Sequence, residues 1–253
     1  MNKKDKKSNN DILKVRAFDT EKNKVKIKNF HKKNIVPAHP FRMINSGKSG
    51  SGKSNLLIKF LTEPKFYFNY FHCIFIISPT AGKLDDSYQA LIKSKTKSKI
   101  HIINDLDPDH IEEIMDCNKK NILENKVHKA PRILLVYDDI ISDGKFMRSK
   151  SFLHSFVASR HYNASVIICT QKFNSVPRTC RIQANSICYF KGNNGELDVL
   201  AEEFAPAGYS KKEMIKIIDY ATSDPYDFFF INDQAPFKER YRKNLDIILQ
   251  LKK

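Results

Sequence analysis

Gly47-Lys48-Ser49-Gly50-Ser51-Gly52-Lys53-Ser54 fits the pattern G-x-x-x-x-G-K-[ST]. Just upstream, Pro40-Phe41-Arg42-Met43-Ile44 reads as a short buried strand; just downstream, Asn55-Leu56-Leu57-Ile58-Lys59-Phe60-Leu61 reads as a helix. The flanks matter as much as the glycines. A glycine-rich turn from strand to helix aims successive backbone N–H groups and a helix N-terminus at the phosphates of a nucleotide. A merely flexible Gly/Ser loop would share the composition but not the setting. Gly47, Gly50, Ser51, Gly52, Lys53 and Ser54 are therefore candidate ligands of a nucleoside triphosphate. Lys53 would neutralise the β and γ phosphates and the Ser54 hydroxyl would coordinate Mg²⁺.

Outward from this loop, short apolar runs alternate with helical patterning. Phe71–Ile77 is a continuous apolar run ending at Ser78-Pro79-Thr80, as expected for a strand buried on both faces. Lys99–Ile103 is a further strand candidate, followed by helical patterning from Asp109 to about Asn125, with Asp107-Pro108-Asp109 as its start. Ile133–Tyr137 is a second buried strand, a helix is expected from about Ser149 to His161, and Ala164–Cys169, Ser186–Phe190 and Asp227–Ile231 supply more strands. The alternation predicts an α/β fold, a largely parallel sheet covered by helices on both faces. The chain shows no internal repeat.

Asp138 and Asp139 end a hydrophobic strand about ninety residues after the phosphate loop. An acid at the carboxyl edge of such a strand can hold Mg²⁺, and a second beside it can orient and deprotonate an attacking water. Asp138 is the metal-side candidate and Asp139 the water-activating one. Gln171 closes the next strand after Thr170; a Gln there could sense a γ-phosphate, although a strand end commonly carries an ordinary polar residue. Arg160, Arg178 and Arg181 flank it, and any of them could be donated to a neighbouring subunit's nucleotide. Lys93, Lys95, Lys97 and Lys99 alternate along a segment that could line a DNA path but reads better as a solvated face. The aromatic cluster Phe66–Phe71 reads better as core or subunit contact than as a base-stacking platform.

The 253 residues carry a formal net charge of +16, which favours a polyanionic partner. Residues 1–34 hold twelve Lys/Arg against four Asp/Glu, half of that excess. This segment is read as a basic, flexible arm, either contacting nucleic acid or a partner or simply solvated; residues 35–253 form the nucleotide-binding domain. Cys73, Cys117, Cys169, Cys180 and Cys188 have no C-x-x-C or metal-ligand spacing, which suits a reducing compartment. No apolar run approaches the roughly 18–20 residues of a membrane helix, and the Lys-rich start lacks the apolar stretch of a secretory signal.

Taken in order, these motifs resemble those of the viral genome-packaging ATPases of the FtsK–HerA superfamily, found in large DNA viruses and their virophages. The resemblance spans roughly Pro37 to Leu251. It rests on Pro40–Met43 leading into Ser46–Ser54, on Ile133–Asp139, on Ser159-Arg160-His161-Tyr162-Asn163, on Ile167–Gln171 and on Arg181–Ser186. It implies a RecA-like core in which a Gln-bearing strand lies between the phosphate-loop and metal-acid strands. It also implies ATP with Mg²⁺, and a homo-oligomeric ring, hexamer or pentamer, that pumps double-stranded DNA toward a capsid component. Under this resemblance Gln171 matches the γ-phosphate-sensing Gln and Arg160 best matches the trans-acting arginine. Most of the superfamily has Asp-Glu where this chain has Asp138-Asp139, so the base is one methylene shorter. The implied setting is a soluble, intracellular protein of the host cytoplasm or virus factory, or one associated with the virion. The alternatives are a replicative helicase or other P-loop NTPase, and a non-enzymatic nucleotide-binding module of capsid assembly. Asn118-Lys119-Lys120-Asn121 lacks the Asp of a GTPase base-reading element, and the chain has no Leu-Ser-Gly-Gly-Gln transporter signature.

Overall fold

The computed structural model describes residues 35–81, 86–126 and 128–249. The basic arm expected at residues 1–34 lies outside them. One nine-stranded sheet organises the chain, in the order β3-β2-β4-β5-β1-β6-β7-β8-β9. Its strands are β1 (Arg42–Ser46), β2 (Cys73–Ile77), β3 (Lys99–Ile103), β4 (Ile133–Asp138), β5 (Ala164–Thr170), β6 (Ser186–Phe190), β7 (Phe228–Asn232), β8 (Tyr241–Lys243) and β9 (Ile247–Ile248). The first six run parallel; β7, β8 and β9 pair antiparallel at one side.

The central strands are apolar at nearly every position because both faces are covered. Successive side chains point to opposite faces, so Ile133, Leu135 and Tyr137 of β4 enter one core while Leu134 and Val136 enter the other. Likewise Val166 and Ile168 of β5 part from Ile167 and Cys169, and Phe229 and Ile231 of β7 part from Phe228 and Phe230. Helices α1 (Lys53–Thr62) and α2 (Asp86–Lys93) cover one face through Leu56, Leu57, Phe60, Leu61, Tyr88 and Leu91. The other face carries α3 (Pro108–Asn125), α4 (Lys150–Val157), α5 (Arg178–Gln183), α6 (Asn194–Phe204) and α7 (Lys211–Ala221), through Ile111, Met115, Phe152, Phe156, Leu200 and Ile218 among others.

The aromatic cluster is core: Phe66, Tyr67 and Phe71 are buried, with Tyr67 stacked on Phe41 at 5.0 Å between ring centroids. Lys93, Lys95, Lys97 and Lys99 are all exposed. The helix expected through His161 stops at Val157 and continues as a 3-10 turn, Ser159–Tyr162. Ala158 (φ −97°, ψ 4°) ends the helix, and Asn163, whose backbone is left-handed (φ 49°), turns the chain from the 3-10 turn into β5, a conformation Asn tolerates better than most residues. No helix among the described residues is long and apolar enough to cross a membrane. The five cysteines are free.

Candidate nucleotide site

The carboxyl ends of β1, β4 and β5 meet at one edge of the sheet, and the strand order puts the Gln171-bearing β5 between the other two. The loop after β1 is held there by the Gly47 N–H, which donates to the carbonyl of Thr170 at 3.1 Å. A Cβ on Gly47 would lie 2.5 Å from Cβ of Phe190 and 2.7 Å from Oγ of Ser51, so no side chain fits. Gly50 and Gly52 have φ of +75° and +101°, left-handed values that side chains resist. The turn delivers the chain into α1, whose strand-side tether is the Asn45 carboxamide donating to the Lys53 carbonyl at 3.0 Å. No side-chain hydrogen bond caps α1 at Gly52, and its first turn contains no acid. The orphan amides of a helix start are thereby left to an anion.

A cleft of about 460 Å³ opens over this loop, lined by Gly50, Gly52, Lys53, Ser54, Asp138, Asp139 and Gln171, together with Ser49, Asn55, Thr80, Cys169, Thr170 and Tyr226. Lys53 Nζ donates to the carbonyls of Gly47 (2.6 Å) and Lys48 (2.8 Å). Burial holds its pKa below the ordinary lysine value, opposed by electrostatic interaction with Cys169, Asp138 and Asp139. Asp138 accepts a 2.5 Å hydrogen bond from the Tyr88 hydroxyl. Asp139 adopts a left-handed backbone (φ 54°, ψ 31°), and its Oδ1 accepts from Gln171 Nε2 at 3.2 Å. Two residues thirty-two positions apart in the chain, singled out for water activation and phosphate sensing, are thus in direct contact.

Gly47 and Ser51 shape the loop from behind rather than lining the cleft. Arg160 lies elsewhere. It sits exposed on the 3-10 turn at the amino end of β5, while Gln171 follows the carboxyl end; at ~3.3 Å per residue that separates them by roughly 20 Å. Arg181, one of the alternatives, is 8% exposed. Its Nε and Nη2 both hold Glu203 at 2.8 Å and its Nη1 donates to the carbonyl of Val176 at 2.6 Å, so it is built into the fold. Arg178 is exposed, 3.7 Å from Glu203. Sequence reasoning passed over Tyr88, Thr80 and Tyr226. Thr80 had a signal, its place just past the carboxyl end of a strand; Tyr88 and Tyr226 had none, because only the crossovers bring them to this edge.

The donor set suits the group that the motif implies. Ser54 and Asp138 offer a hydroxyl and a carboxylate in one cleft, the oxygen ligands that Mg²⁺ takes alongside phosphate and water.

Fold and site together define a P-loop nucleoside-triphosphatase-type protein with a RecA-like sheet and the additional strand between its phosphate-loop and acid strands. The chain belongs to the family described as Poxvirus A32 protein, whose model matches residues 27–244. It is 24% identical over 211 residues to the DNA packaging protein OPG160 of Vaccinia virus (strain Copenhagen), covering 82% of this chain and 74% of that one. It is 25% identical over 225 residues to the Monkeypox virus protein of the same description, covering 82% and 67%. Among solved structures, the genome packaging NTPase B204 of Sulfolobus turreted icosahedral virus 2 in complex with AMP superposes with a TM-score of 0.56 at 15% identity, covering 83% of this chain and 98% of that one. The ATPases 2 and 3 of Thermomonospora curvata EccC give 0.51 at 13% identity, covering 84% and 37%. The resemblance to FtsK–HerA packaging ATPases noted from the motifs is borne out at the level of family and fold.

Proposed function

We propose that this chain is an ATPase that drives double-stranded viral DNA into a capsid, acting as a homo-oligomeric ring whose clefts are each completed by the neighbouring subunit. The observation that carries the reading is the Gln171–Asp139 hydrogen bond across a cleft floored by the phosphate loop. The relatives, named as DNA packaging proteins, and the B204 packaging NTPase support the genome as cargo. The work is done where genome meets capsid, in the virus factory or on the virion.

In this mechanism Lys53 and the α1 amides bind the β and γ phosphates of ATP; Ser54 and Asp138 would hold Mg²⁺, which would supply neutralisation of the developing phosphate charge. Water attacks the γ phosphorus as the bond to the β–γ bridging oxygen breaks, giving ADP and phosphate, and Asp139 takes the proton from the water. Gln171, bonded to Asp139, releases or re-forms that contact as the γ phosphate comes and goes, and so reports nucleotide state to the strand that ends at Thr170. Arg160 is too far from its own cleft to serve it, which fits a role in another copy's site.

ATPase rate measured against protein concentration, with and without duplex DNA and at two salt levels, tests this. A ring motor on a phosphate backbone gives a cooperative, DNA-stimulated, salt-sensitive rate. Mixing Lys53→Ala with Arg160→Ala subunits restores part of the activity if the site is shared. ATP binding without turnover under every condition would instead support a non-enzymatic assembly module. Strand displacement on forks without movement on intact duplex would support a helicase.

A further inference from the structure

Tyr226 lies in the turn between α7 and β7, far in sequence from the phosphate loop, yet its ring borders the cleft: a methyl group added at Gly52 would sit 3.5 Å from its Cδ1. Two features set it apart from the other large apolar side chains of this edge. It is 72% exposed, whereas Phe190 and Phe228 beside it are buried. Its backbone is left-handed, φ 67°, a conformation that is a genuine outlier for a bulky residue and persists only where the surroundings impose it.

The surroundings do impose it. Lys243 Nζ holds Asp224 at 3.0 Å and Asp227 at 2.7 Å on either side of Tyr226. The Asn244 carboxamide donates to Asp227 Oδ1 at 2.8 Å and accepts from the Phe228 N–H at 3.1 Å. A turn braced on both flanks therefore presents an aromatic ring to water at the rim of the cleft. An aromatic ring kept open beside a phosphate-binding loop is suited to stacking on a planar base.

Resting on the nucleotide-binding reading of the cleft, we infer that Tyr226 is the nucleobase platform of this site, and that the site prefers purine triphosphates while tolerating adenine and guanine alike. Stacking engages the π-face that every base has and grows with ring area, so it separates purines from pyrimidines without reading base edges.

Equilibrium binding by the full-length chain tests this with ATP, GTP, UTP and inorganic tripolyphosphate, each with Mg²⁺. Tyr226→Asn keeps a residue that accepts the left-handed backbone and removes the ring. It should raise Kd for ATP and GTP about tenfold and leave tripolyphosphate unchanged, while Tyr226→Phe binds all four as the parent does. In the parent, UTP should bind several-fold more weakly than ATP or GTP. The inference is overturned if Tyr226→Asn binds ATP as tightly as the parent, or if tripolyphosphate weakens in parallel, since the ring would then merely shape the loop. Lys53→Ala separates the two levels: it should weaken tripolyphosphate and ATP together. Retention of both would sink the nucleotide reading of the cleft itself, whatever Tyr226 does.

Discussion

The two ends of β5 are built on opposite terms. At its amino end, polar groups are buried and paired with one another. Asn163 Nδ2 donates to the carbonyls of Ala130 and Pro131 at 3.1 Å each and its Oδ1 accepts from His39 Nε2 at 3.0 Å, while Ser165 Oγ bonds the other His39 nitrogen at 2.7 Å and accepts from the Phe41 N–H at 3.1 Å. At its carboxyl end, polar groups face a cleft or stand unpaired behind it. Gln171 meets Asp139 in water-accessible space, the first turn of α1 is uncapped, and the Oγ of Ser51 and Oδ1 of Asn45 are buried without partners among the described residues. Each end is bordered by a non-glycine residue in the left-handed region, Asn163 just before β5 and Asp139 just past the neighbouring β4. One serves to turn a chain whose hydrogen bonds are complete; the other aims a carboxylate at a space that a ligand would fill. A polar group satisfied inside the protein holds the fold, and one left open at a strand's carboxyl edge is available for chemistry.

This contrast predicts that lesions at one end remove activity and lesions at the other remove stability. The largest effect is expected from Lys53→Ala, which should cut ATP turnover about 10³-fold while its thermal midpoint stays near that of the parent; parallel loss of stability would break the contrast. Asn163→Leu removes two carbonyl partners, unpairs His39 and places a branched residue in the left-handed region. It should lower unfolding free energy by about 3–4 kcal/mol in urea titration, with turnover per folded molecule retained.

His39 sharpens the same point through pH. Burial, opposed by its bond to Asn163 and reinforced by the nearby charges of Arg132 and His72, lowers its pKa from 6.5 to about 4. A base whose folded pKa is depressed stabilises the fold fully above its unfolded value, and loses that contribution as pH falls from about 6.5 toward 4. The loss amounts to about 3 kcal/mol. His39→Gln, which cannot titrate, should flatten the stability profile over that interval; an unchanged slope would assign it to other groups.

Asp139→Asn preserves size and backbone tolerance but removes the carboxylate proposed as the base. Turnover should fall about a hundredfold with ATP affinity retained, and a smaller loss would point to Gln171 as the residue that positions water. The least effect is expected far from both ends. Asp107, which caps α3 by accepting from the Asp109 N–H at 2.9 Å, should cost about 1 kcal/mol as Asp107→Ala and leave turnover alone.

Much of this was legible in the chain. The strands at 99–103, 133–138, 164–170 and 186–190 and the α3 start at Asp107 follow from apolar runs and a cap. The capping boxes Asn193–Glu196 and Ser210–Glu213 carried the starts of α6 and α7 in local sequence as well, although neither helix had been read from it. What local pattern could not supply was partnership. Arg181 and Arg160 look equivalent as sequence, and only the Glu203 carboxylate, twenty-two residues beyond Arg181, removes one of them from contention. The strand at 228–232 has the composition of its parallel neighbours but runs against them, because direction is set by the connection rather than the side chains.

By itself, the sequence determined the phosphate loop, the acids at the end of β4 and the fold class. Each depends on residues adjacent along the backbone, where glycine φ, strand alternation and helix start are short-range properties. The tertiary structure decided that Gln171 bonds Asp139, that Tyr88 bonds Asp138, that Tyr226 lies against Gly52 and that Arg160 sits at the opposite end of β5 from its own cleft. Those relations depend on strand order, which is fixed by how two cores pack on one sheet and by nothing within reach of a single segment.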